Sequence, residues 1–535
     1  MRRKLAGLLL LALLTGSVLA KAETTIDLSY DRYAVSEKTA KVIVHDATIN
    51  TVRAGIFGAN TSYRGGGYGL YDEENRSFNE ALVQRLRESG VTALRLPGGI
   101  EGDYFHWYEA VGDAETRIPQ IDCFSKDYPT FTRKNGEPYQ VLFGPDEWIA
   151  LCGMTNTALA VQLNAGNGTP QEAVDYIRYL LDSGVAIDDI TVGNEGCMAE
   201  ERVEGVSVTK TPEEYIDFYN AVWDLMDEDM RRELKERGVA FGCIGIPASH
   251  PLCKYPQWDE KVLAALNGRT DFIDVHVAYS PYYVAGNNNE QIIKCLLASA
   301  ELVRRHLDLE LRTIKRCAPD VKIAISEHGP LGASPYSSGM PGGMYLAAFF
   351  NMALAEERVV SADYLPLTNH PAANNLLGYS DELNETVVWD NVVSMVFRMY
   401  AEQIGREVLA TDVSGAKTFS SPAVGLMAAV RNVSEGEAAV YFDRETGCGT
   451  MFILNRAYKE NTVFDIALPF EHARLTAVTE LFTPNNTMGN TRNRPTLVQP
   501  VVYEGMGGDV QDGRLTITTK PVSLVRLDFI VPAAP

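Results

Sequence analysis

The sequence predicts an α/β protein in which a (β/α)8 barrel, or TIM barrel, is followed by an antiparallel β-sandwich domain. From Arg53 to about Tyr400, eight short apolar segments alternate with stretches of helical periodicity, which is the pattern of a barrel of parallel strands. After about Thr411, short segments of alternating polarity are separated by turn residues, which is typical of a sandwich. A carboxylate also follows two of the barrel segments, at Glu195 and Glu327. The carboxyl ends of the strands are where barrel enzymes place their catalytic residues.

Each predicted barrel strand is a short apolar run. In chain order the strands are Ala54–Gly58, Ala93–Leu96, Ala158–Leu163, Ile190–Val192, Ala240–Ile246, Phe272–His276, Lys322–Ser326 and Ala362–Pro366. The clearest helices between them are Phe78–Glu88, Pro170–Leu181, Pro212–Leu234, Gln291–Cys317 and Met344–Ala355. A doubly wound open sheet is the alternative, but it usually has fewer strands, and its glycine-rich dinucleotide fingerprint is absent from the sequence.

The helix that begins near Pro212 has a well-defined start. Thr211 is suited to cap it, Pro212 to occupy its first turn, and Glu213 and Glu214 to lie at the positive end of its dipole. The segment Pro212–Leu234 is therefore predicted as one helix.

The predicted domains divide the chain into four parts. Residues 1–22 form a signal peptide, residues 23–50 form N-terminal strands that can join the sandwich, residues 51–408 form the barrel, and residues 409–535 form the sandwich. The predicted sandwich strands are Ala438–Phe442, Thr450–Leu454, Thr462–Leu468, Ala477–Phe482, Leu515–Thr519 and Ser523–Val531.

The start of the chain has the pattern of a secretory signal. Arg2, Arg3 and Lys4 precede the apolar run Leu5–Leu14, and Ala20-Lys21-Ala22 suits a signal peptidase. A membrane anchor is the alternative, but the run is shorter than the ~20 residues that span a bilayer. We therefore expect an exported protein, periplasmic or extracellular, with no membrane association once the signal is removed.

The charge of the chain restricts its partners. The formal net charge is −22 and the isoelectric point is about 4.9. Both values argue against nucleic acid and anionic membrane surfaces as partners. They fit a soluble protein with a neutral ligand, and they leave the oligomeric state open.

The eight cysteines allow disulfides without specifying them. In an exported chain an even number permits disulfide bonds, and Cys243 with Cys253 and Cys295 with Cys317 are the pairs closest in sequence. Buried free thiols are an equally good interpretation. No pair has the spacing of a metal site and the eight histidines are scattered, so we expect no metal and no cofactor.

The two strand-end carboxylates predict glycosidic bond hydrolysis. Glu195 follows the fourth predicted strand and Glu327 the seventh, and these strands face each other across the barrel mouth. A pair of carboxyl groups about 5 Å apart leads to retention of configuration, and a pair roughly 6.5–9.5 Å apart leaves room for water and leads to inversion. Ordinary polar loop residues are the alternative interpretation.

Other polar and aromatic residues near strand ends are candidate substrate contacts. Arg95 lies in the second strand, and an arginine can hold a carboxylate in its ionised state. Aromatic residues can stack on sugars, although most aromatic residues of a large protein lie in its core. The candidates at strand ends are Asn194, Arg95, His276, Tyr279, Asn369 and His370, and the candidate aromatic platforms are Trp107, Trp148 and Tyr104.

An ordered series of blocks resembles the family 51 α-L-arabinofuranosidases, within clan A of the retaining barrel glycosidases. The block LRLPGGIEGDYFHWYEAVG, Leu94 to Gly112, resembles the Pro-Gly-Gly segment of that family. The further matching blocks, in order, are FGPDEWIALC, GNGTPQEAVDYIRYL, VGNE, DFIDVHVAYS, AISEHGP, GGMYLAAFFNMAL and LTITTKPVSLVRLDF.

The resemblance implies a cofactor-independent retaining hydrolase that acts on a plant-type oligo- or polysaccharide. By motif, Glu195 is the acid/base, Glu327 the nucleophile, and Asn194 binds the sugar hydroxyl beside the anomeric carbon. His276 and Tyr279 lie in the matching strand-six segment, with a spacing one residue longer than is usual there.

Three departures from the family fall on the substrate pocket. His328-Gly329-Pro330 stands where the family usually has a tryptophan after the nucleophile. The strand-one segment reads Asn60-Thr61-Ser62 without an acid, and Ile100 follows the Pro-Gly-Gly motif. Other clan A substrates, such as xylosides, glucuronides or glucans, therefore stay open, as does a carbohydrate-binding protein without catalysis.

Overall fold

The computed structural model describes residues 24–125, 130–132, 136–198, 206–246, 253–277, 284–330, 332, 334–368, 375–381, 386–425 and 427–532. In this part of the chain, no helix is both long and apolar enough to cross a bilayer. The predicted signal peptide lies outside the described residues, as do Tyr279, Asn369 and His370.

Eight parallel strands close into a barrel, as predicted. Each strand pairs with its neighbour in the sequence, and the barrel closes where the eighth strand pairs with the first. The strands, from first to eighth, are Gly58–Asn60, Ala93–Leu96, Ala158–Leu163, Ile187–Val192, Ala240–Ile244, Phe272–His276, Lys322–His328 and Val359–Tyr364.

Helices pack around the barrel and bury their apolar faces against the strands in one large hydrophobic core. They are Glu80–Ser89, Pro145–Thr155, Pro170–Ser183, Pro212–Leu225, Glu228–Glu236, Trp258–Leu266, Asn289–Cys317, Met340–Ala355 and Val392–Ala401. Short 3-10 helices cover Ala54–Phe57, Gly99–Tyr104, Trp107–Ala110, Ala114–Thr116 and Gln511–Gly513, and a five-residue turn spans Gly65–Gly69. Three small hairpins flank the barrel: Tyr71–Asp72 with Ser77–Phe78, Leu377–Ser380 with Val387–Asp390, and Thr418–Ser421 with Val430–Ser434.

Three predicted elements differ from the structure. Ala362–Pro366 was predicted as the eighth strand, but that strand begins and ends earlier, at Val359–Tyr364. Ala54–Gly58 was predicted as the first strand, but Ala54–Phe57 is a 3-10 helix and the strand is Gly58–Asn60. Ile56 and Phe57 are buried in either conformation, and a short apolar run does not distinguish the two. The predicted helix Pro212–Leu234 is two helices, because Asp227 caps a second helix by accepting a hydrogen bond from the Met230 amide. The predicted start at Thr211 is confirmed, since its side chain accepts from the Glu214 amide.

The second domain is an 11-stranded, mostly antiparallel sheet that encloses its own hydrophobic core. Its strands are Thr24–Asp27, Val35–Thr51, Glu407–Ser414, Gly436–Phe442, Cys448–Asn455, Asn461–Ala467, Arg474–Leu481, Val501–Val502, Gly508–Asp509, Arg514–Thr519 and Ser523–Ile530. The long strand Val35–Thr51 lies between Glu407–Ser414 and Asn461–Ala467. Both ends of the chain therefore build this sheet.

All eight cysteines are free thiols. Five of them are buried, and Cys253, Cys317 and Cys448 are partly exposed. No disulfide bond joins Cys243 to Cys253 or Cys295 to Cys317.

Candidate active site

Glu195 and Glu327 meet at the carboxyl end of the barrel. Glu195 follows the fourth strand by three residues, and Glu327 lies near the end of the seventh. One oxygen of each carboxylate and a ring nitrogen of His276 all lie within 4.8 Å of one another. This separation of the two oxygens is close to the roughly 5 Å of a retaining carboxylate pair and shorter than the roughly 6.5–9.5 Å of an inverting pair.

The local backbone aims Glu195 into the mouth of the barrel. Gly193 leaves the fourth strand with a φ of 87°, and Glu195 has a φ of 41°. The left-handed region is costly for a residue with a side chain. The chain is held in this turn by the hydrogen bond from the Gly193 amide to the Leu163 carbonyl and by the buried carboxylate of Asp103, which accepts from the Asn194 amide.

Arg95 holds residues at the mouth of the barrel in place from inside the barrel. It is buried within the second strand. One terminal nitrogen donates to Oε1 of Glu327 at 3.0 Å and to Oδ1 of Asn60 at 2.9 Å, and the other donates to Oδ1 of Asn194 at 2.8 Å. Burial would lower the pKa of Arg95, but Glu327 and the acids deeper in the barrel raise it. The guanidinium therefore stays charged, and it fixes Glu327 and Asn194 relative to each other.

His276 lies between the two glutamates. Its Nδ1 lies 2.8 Å from Oε1 of Glu195 and 3.6 Å from Oε2 of Glu327, and its Nε2 lies 3.1 Å from the hydroxyl of Ser326. Burial would lower the pKa of this imidazole, but Glu327, Asp274 and Glu195 raise it to about 10. The ring is therefore a cation that bridges the carboxylates at neutral pH.

Asp274 completes the network under the site. Its carboxylate accepts from the amide and hydroxyl of Ser326, at 3.0 and 2.5 Å. Burial would raise the pKa of Asp274, but His276 and Arg95 hold it below its usual value. The two cations are thus balanced by Asp274 and Glu327, which offsets the cost of burying them.

A cavity of about 310 Å³ opens above the carboxylate pair. Asn194, Glu195 and Glu327 form one side of it. The remaining lining is Asn60, Thr61, Ser62, Tyr68, Gly98, Gly99, Ile100, Glu101, Phe124, Leu365 and Pro366. The volume lies at the lower end of the usual range for small-molecule sites, about 300–1,000 Å³. It therefore suits one end of a sugar chain better than a long internal stretch.

The same fold is found in solved glycosidase structures. An α-L-arabinofuranosidase from Thermotoga maritima, in complex with arabinose, superposes with a TM-score of 0.74 at 18% identity, over 92% of this chain and 99% of that one. A family 51 α-L-arabinofuranosidase from Bifidobacterium longum gives a TM-score of 0.72 at 17% identity, over 93% and 100%. This chain has the fold of the family 51 α-L-arabinofuranosidases. The superposition covers both the barrel and the sandwich, so the predicted fold class is confirmed.

Sequence similarity is confined to part of the chain. An intracellular exo-α-L-arabinofuranosidase from Bacteroides ovatus is 25% identical over 176 residues. That alignment covers 31% of this chain and 32% of the relative, so only about a third of the relative's length is matched. No family model matches the chain.

The structure brings most of the predicted site residues together. Glu195, Glu327, Asn194, Arg95 and His276 form one connected cluster. Arg95 and His276 were predicted as substrate contacts, and neither is among the lining residues of the cavity. Arg95 donates to Glu327 and Asn194, and His276 lies between the two glutamates. Tyr279 and Asn369 lie outside the described residues.

Trp107 was predicted as a sugar platform. Its ring stacks on Tyr176 of the helix Pro170–Ser183 at 5.3 Å, and its indole N–H donates to the Glu172 carbonyl. It is not among the residues that line the cavity above the carboxylates. Trp148 and Tyr104 are fully buried and belong to the core, which is the more frequent place for large aromatic residues.

The ligand atoms of Glu195, His276 and Glu327 lie close enough together to hold a metal ion. Against the effect of burial, Glu327, Asp274 and Glu195 raise the pKa of His276 to about 10, so a metal ion would have to displace the imidazole proton before the ring could offer a lone pair. In its protonated form the imidazolium joins the two carboxyl groups by its positive charge.

Several functional residues were not predicted from the sequence. These are Ser62, Arg64, Glu101, Asp103, Asp274 and Ser326. One signal was available: Asp274 interrupts the apolar strand Phe272–His276, and Glu101 and Asp103 follow the second strand within a segment that is otherwise apolar. A charged residue at a buried position usually has a partner.

Proposed function

We propose that this protein is a retaining α-L-arabinofuranosidase that removes terminal arabinofuranosyl residues from plant-type oligo- or polysaccharides. The observation that carries the proposal is the pair Glu195 and Glu327, whose oxygens lie within 4.8 Å of each other at the base of a small cavity. The similarity of this chain to α-L-arabinofuranosidases supports L-arabinofuranose as the sugar.

In the first half-reaction, the protonated form of Glu195 donates its proton to the leaving oxygen while Glu327 attacks the anomeric carbon. Arg95 donates a hydrogen bond to Oε1 of Glu327 and thereby orients this side chain for attack. Asn194 lies beside Glu195 on the cavity wall, where its amide can bond a sugar hydroxyl. In the second half-reaction, Glu195 takes a proton from water, which attacks the glycosyl-enzyme and restores the original configuration.

The positive charge of His276 contributes to the reaction. It lies 2.8 Å from Glu195 and 3.6 Å from Glu327. As Glu195 loses its proton in the first half-reaction, the adjacent imidazolium stabilises the carboxylate that forms. The same cation keeps the two carboxylates close together without their mutual repulsion dominating.

Replacement of each glutamate tests the roles separately. In Glu327→Ala, turnover of an aryl α-L-arabinofuranoside should fall to background, and azide should restore part of it with a glycosyl azide of inverted configuration. In Glu195→Ala, azide should give a glycosyl azide of retained configuration, because the nucleophile is intact. Hydrolysis at the wild-type rate by Glu327→Ala would end the assignment. Glu109→Ala is the matched control, since Glu109 is half-buried and bonds Gln120 outside the cavity.

A panel of aryl glycosides tests the sugar. We expect strong hydrolysis of the α-L-arabinofuranoside and weak or no hydrolysis of the xyloside, glucuronide and glucoside. Strong activity on one of those three and none on the furanoside would replace the proposed substrate. Binding of oligosaccharides without any hydrolysis would show that the protein is a carbohydrate-binding protein and not an enzyme.

Export is a separate proposal. The basic start and the apolar run Leu5–Leu14 support it. The mature protein should then begin near Glu23, and mass spectrometry of material from the culture medium or periplasm measures this. Recovery of the unprocessed chain from the cytoplasm alone would contradict it.

A further inference from the structure

A third carboxylate lines the same cavity as Glu195 and Glu327. Glu101 lies in the 3-10 helix Gly99–Tyr104, directly beyond the second barrel strand, and its side chain is buried. The helix passes beside the nucleophile, since a Cβ atom built on Gly99 would lie 3.5 Å from Oε1 of Glu327. Neither step of the hydrolysis uses Glu101.

Glu101 is held in place from one side. The Ser62 hydroxyl donates to its Oε2, and the Arg64 guanidinium forms an ion pair with its Oε1. Arg64 is itself fixed by an ion pair with Asp122 and by the rings of Phe124 and Phe131, at 4.9 and 4.6 Å. The carboxylate therefore has little freedom to turn away from the cavity.

This arrangement leaves acceptor capacity on a side chain that lines the cavity. A carboxylate offers about four lone-pair sites, and Ser62 and Arg64 account for two. Burial raises the pKa of Glu101 to about 7 in spite of Arg64, so keeping an acid here has an energetic cost. A residue that only filled space at this position would not need a charge.

We propose that Glu101 is a specificity-determining residue that accepts a hydrogen bond from one hydroxyl of the bound glycone. The inference rests on the proposed function for the identity of the sugar. It also gives the cavity a preference for neutral sugars, because Glu101, Glu195 and Glu327 would repel the carboxylate of a uronoside.

A purely structural role is the alternative, in which Glu101 only holds Arg64. The two roles differ in how they respond to the substrate. If Glu101 bonds a hydroxyl, removing that hydroxyl and removing Glu101 affect the same contact, so the two losses do not add. If Glu101 only holds Arg64, the loss from removing a hydroxyl is the same with and without it.

The test is a cycle of enzyme variants and deoxy substrates. The substrates are an aryl α-L-arabinofuranoside and its 2-, 3- and 5-deoxy analogues, and the enzymes are the wild type, Glu101→Ala and Glu101→Gln. In the wild type, one analogue should lose about 10- to 100-fold in kcat/KM, as for a hydrogen bond to a charged group. In Glu101→Ala that loss should disappear, while the losses for the other two analogues stay unchanged. Glu101→Gln, which keeps the shape of the side chain, should show a reduced loss.

Two controls keep the result interpretable. Glu109→Ala removes a half-buried acid of the same segment outside the cavity and should leave all three losses as in the wild type. Thermal midpoints confirm that the variants are folded. Identical losses in the wild type and in Glu101→Ala would overturn the proposal.

A binding experiment separates this proposal from the proposed function. L-Arabinose and its deoxy analogues are titrated calorimetrically into the same proteins, without turnover. If the wild type hydrolyses no furanoside, the proposed function fails, and the affinities still decide the role of Glu101. A deoxy penalty that vanishes in Glu101→Ala supports the role, whereas an unchanged penalty, or no binding of any of these sugars, overturns it.

Discussion

At the scale of single residues, His276 explains how two glutamates can lie so close together. An isolated pair of carboxylates at this distance would share one proton, because both charges cannot be kept side by side. The imidazolium between Glu195 and Glu327 changes this balance, and Asp274 on its other side keeps it protonated. The sequence showed only a histidine at a strand end, and its role depends on Glu195 after the fourth strand and on Ser326 and Glu327 of the seventh.

The protonation of His276 predicts how stability depends on pH. Its pKa is about 10 in the folded protein and about 6.5 in an unfolded chain. The extra stability is fully present below about pH 6.5 and is lost as the pH rises toward 10, by up to roughly 1 kcal/mol per pH unit. Denaturant unfolding of the wild type and of His276→Gln at pH 6, 8 and 10 measures this. The difference between the two free energies of unfolding should be largest at pH 6, and a difference independent of pH would contradict the prediction.

At the scale of elements, the site depends on how strands end. Six of the eight predicted barrel strands overlap the observed ones closely. Each of them is a buried apolar run, and such runs can be recognised in the sequence. The turn after the fourth strand was predicted to place Glu195 at the mouth, and the structure places it there.

The side-chain contacts between different elements could not be predicted from the sequence pattern. Glu101 reaches the cavity only because the chain folds into a 3-10 helix after the second strand, and Ser62 and Arg64 meet it from the segment after the first. Trp107 is a second example of a contact that the sequence does not show. This aromatic residue lies in the matching motif, and it packs against a helix that begins 63 residues later, at Pro170. Sequence pattern indicates where strands end, but partners contributed by other strands and loops are fixed by packing.

Gly193 allows a test of the turn that carries Glu195. It has a φ of 87°, and a Cβ atom there would lie 2.8 Å from the Cβ atom of Ala165. Gly193→Ala should therefore displace Glu195 and reduce kcat about 10- to 100-fold. Gly184→Ala is the matched control, because Gly184 has a φ of 74° with no atom near its missing Cβ. That control should lose about 1 kcal/mol of stability and keep its kcat. Equal kcat values for the two variants would show that the turn does not position Glu195.

At the scale of the whole molecule, the second domain joins the two ends of the chain. The strand Val35–Thr51 lies between two strands from the C-terminal region, and its residues 40–44 alternate between the core and the solvent. Val42 is 1% exposed, and its neighbour Ile43 is 48% exposed. The predicted segment 23–50 was expected to be able to join the sandwich, and strands Thr24–Asp27 and Val35–Thr51 lie in its sheet.

This alternation predicts that the same substitution destabilises the protein to very different extents at two adjacent positions. Val42→Asp places an unpaired charge in the core of the sheet and should cost about 3–5 kcal/mol. Ile43→Asp places the same charge in solvent and should cost less than about 1 kcal/mol. Thermal or denaturant unfolding of the two variants measures the difference. Similar losses of stability would mean that the two faces of this strand are not distinguished as the structure shows.

The position of the strand Val35–Thr51 also sets an order of events during synthesis. Its pairing partners, Glu407–Ser414 and Asn461–Ala467, leave the ribosome more than 350 residues later. At about 5–20 residues per second, the strand waits for tens of seconds before either neighbour exists. The barrel strands, by contrast, each pair with the next one in the sequence. The barrel can therefore assemble as it emerges, while the apolar face of the first long strand stays without its partner strands until the last quarter of the chain has been made.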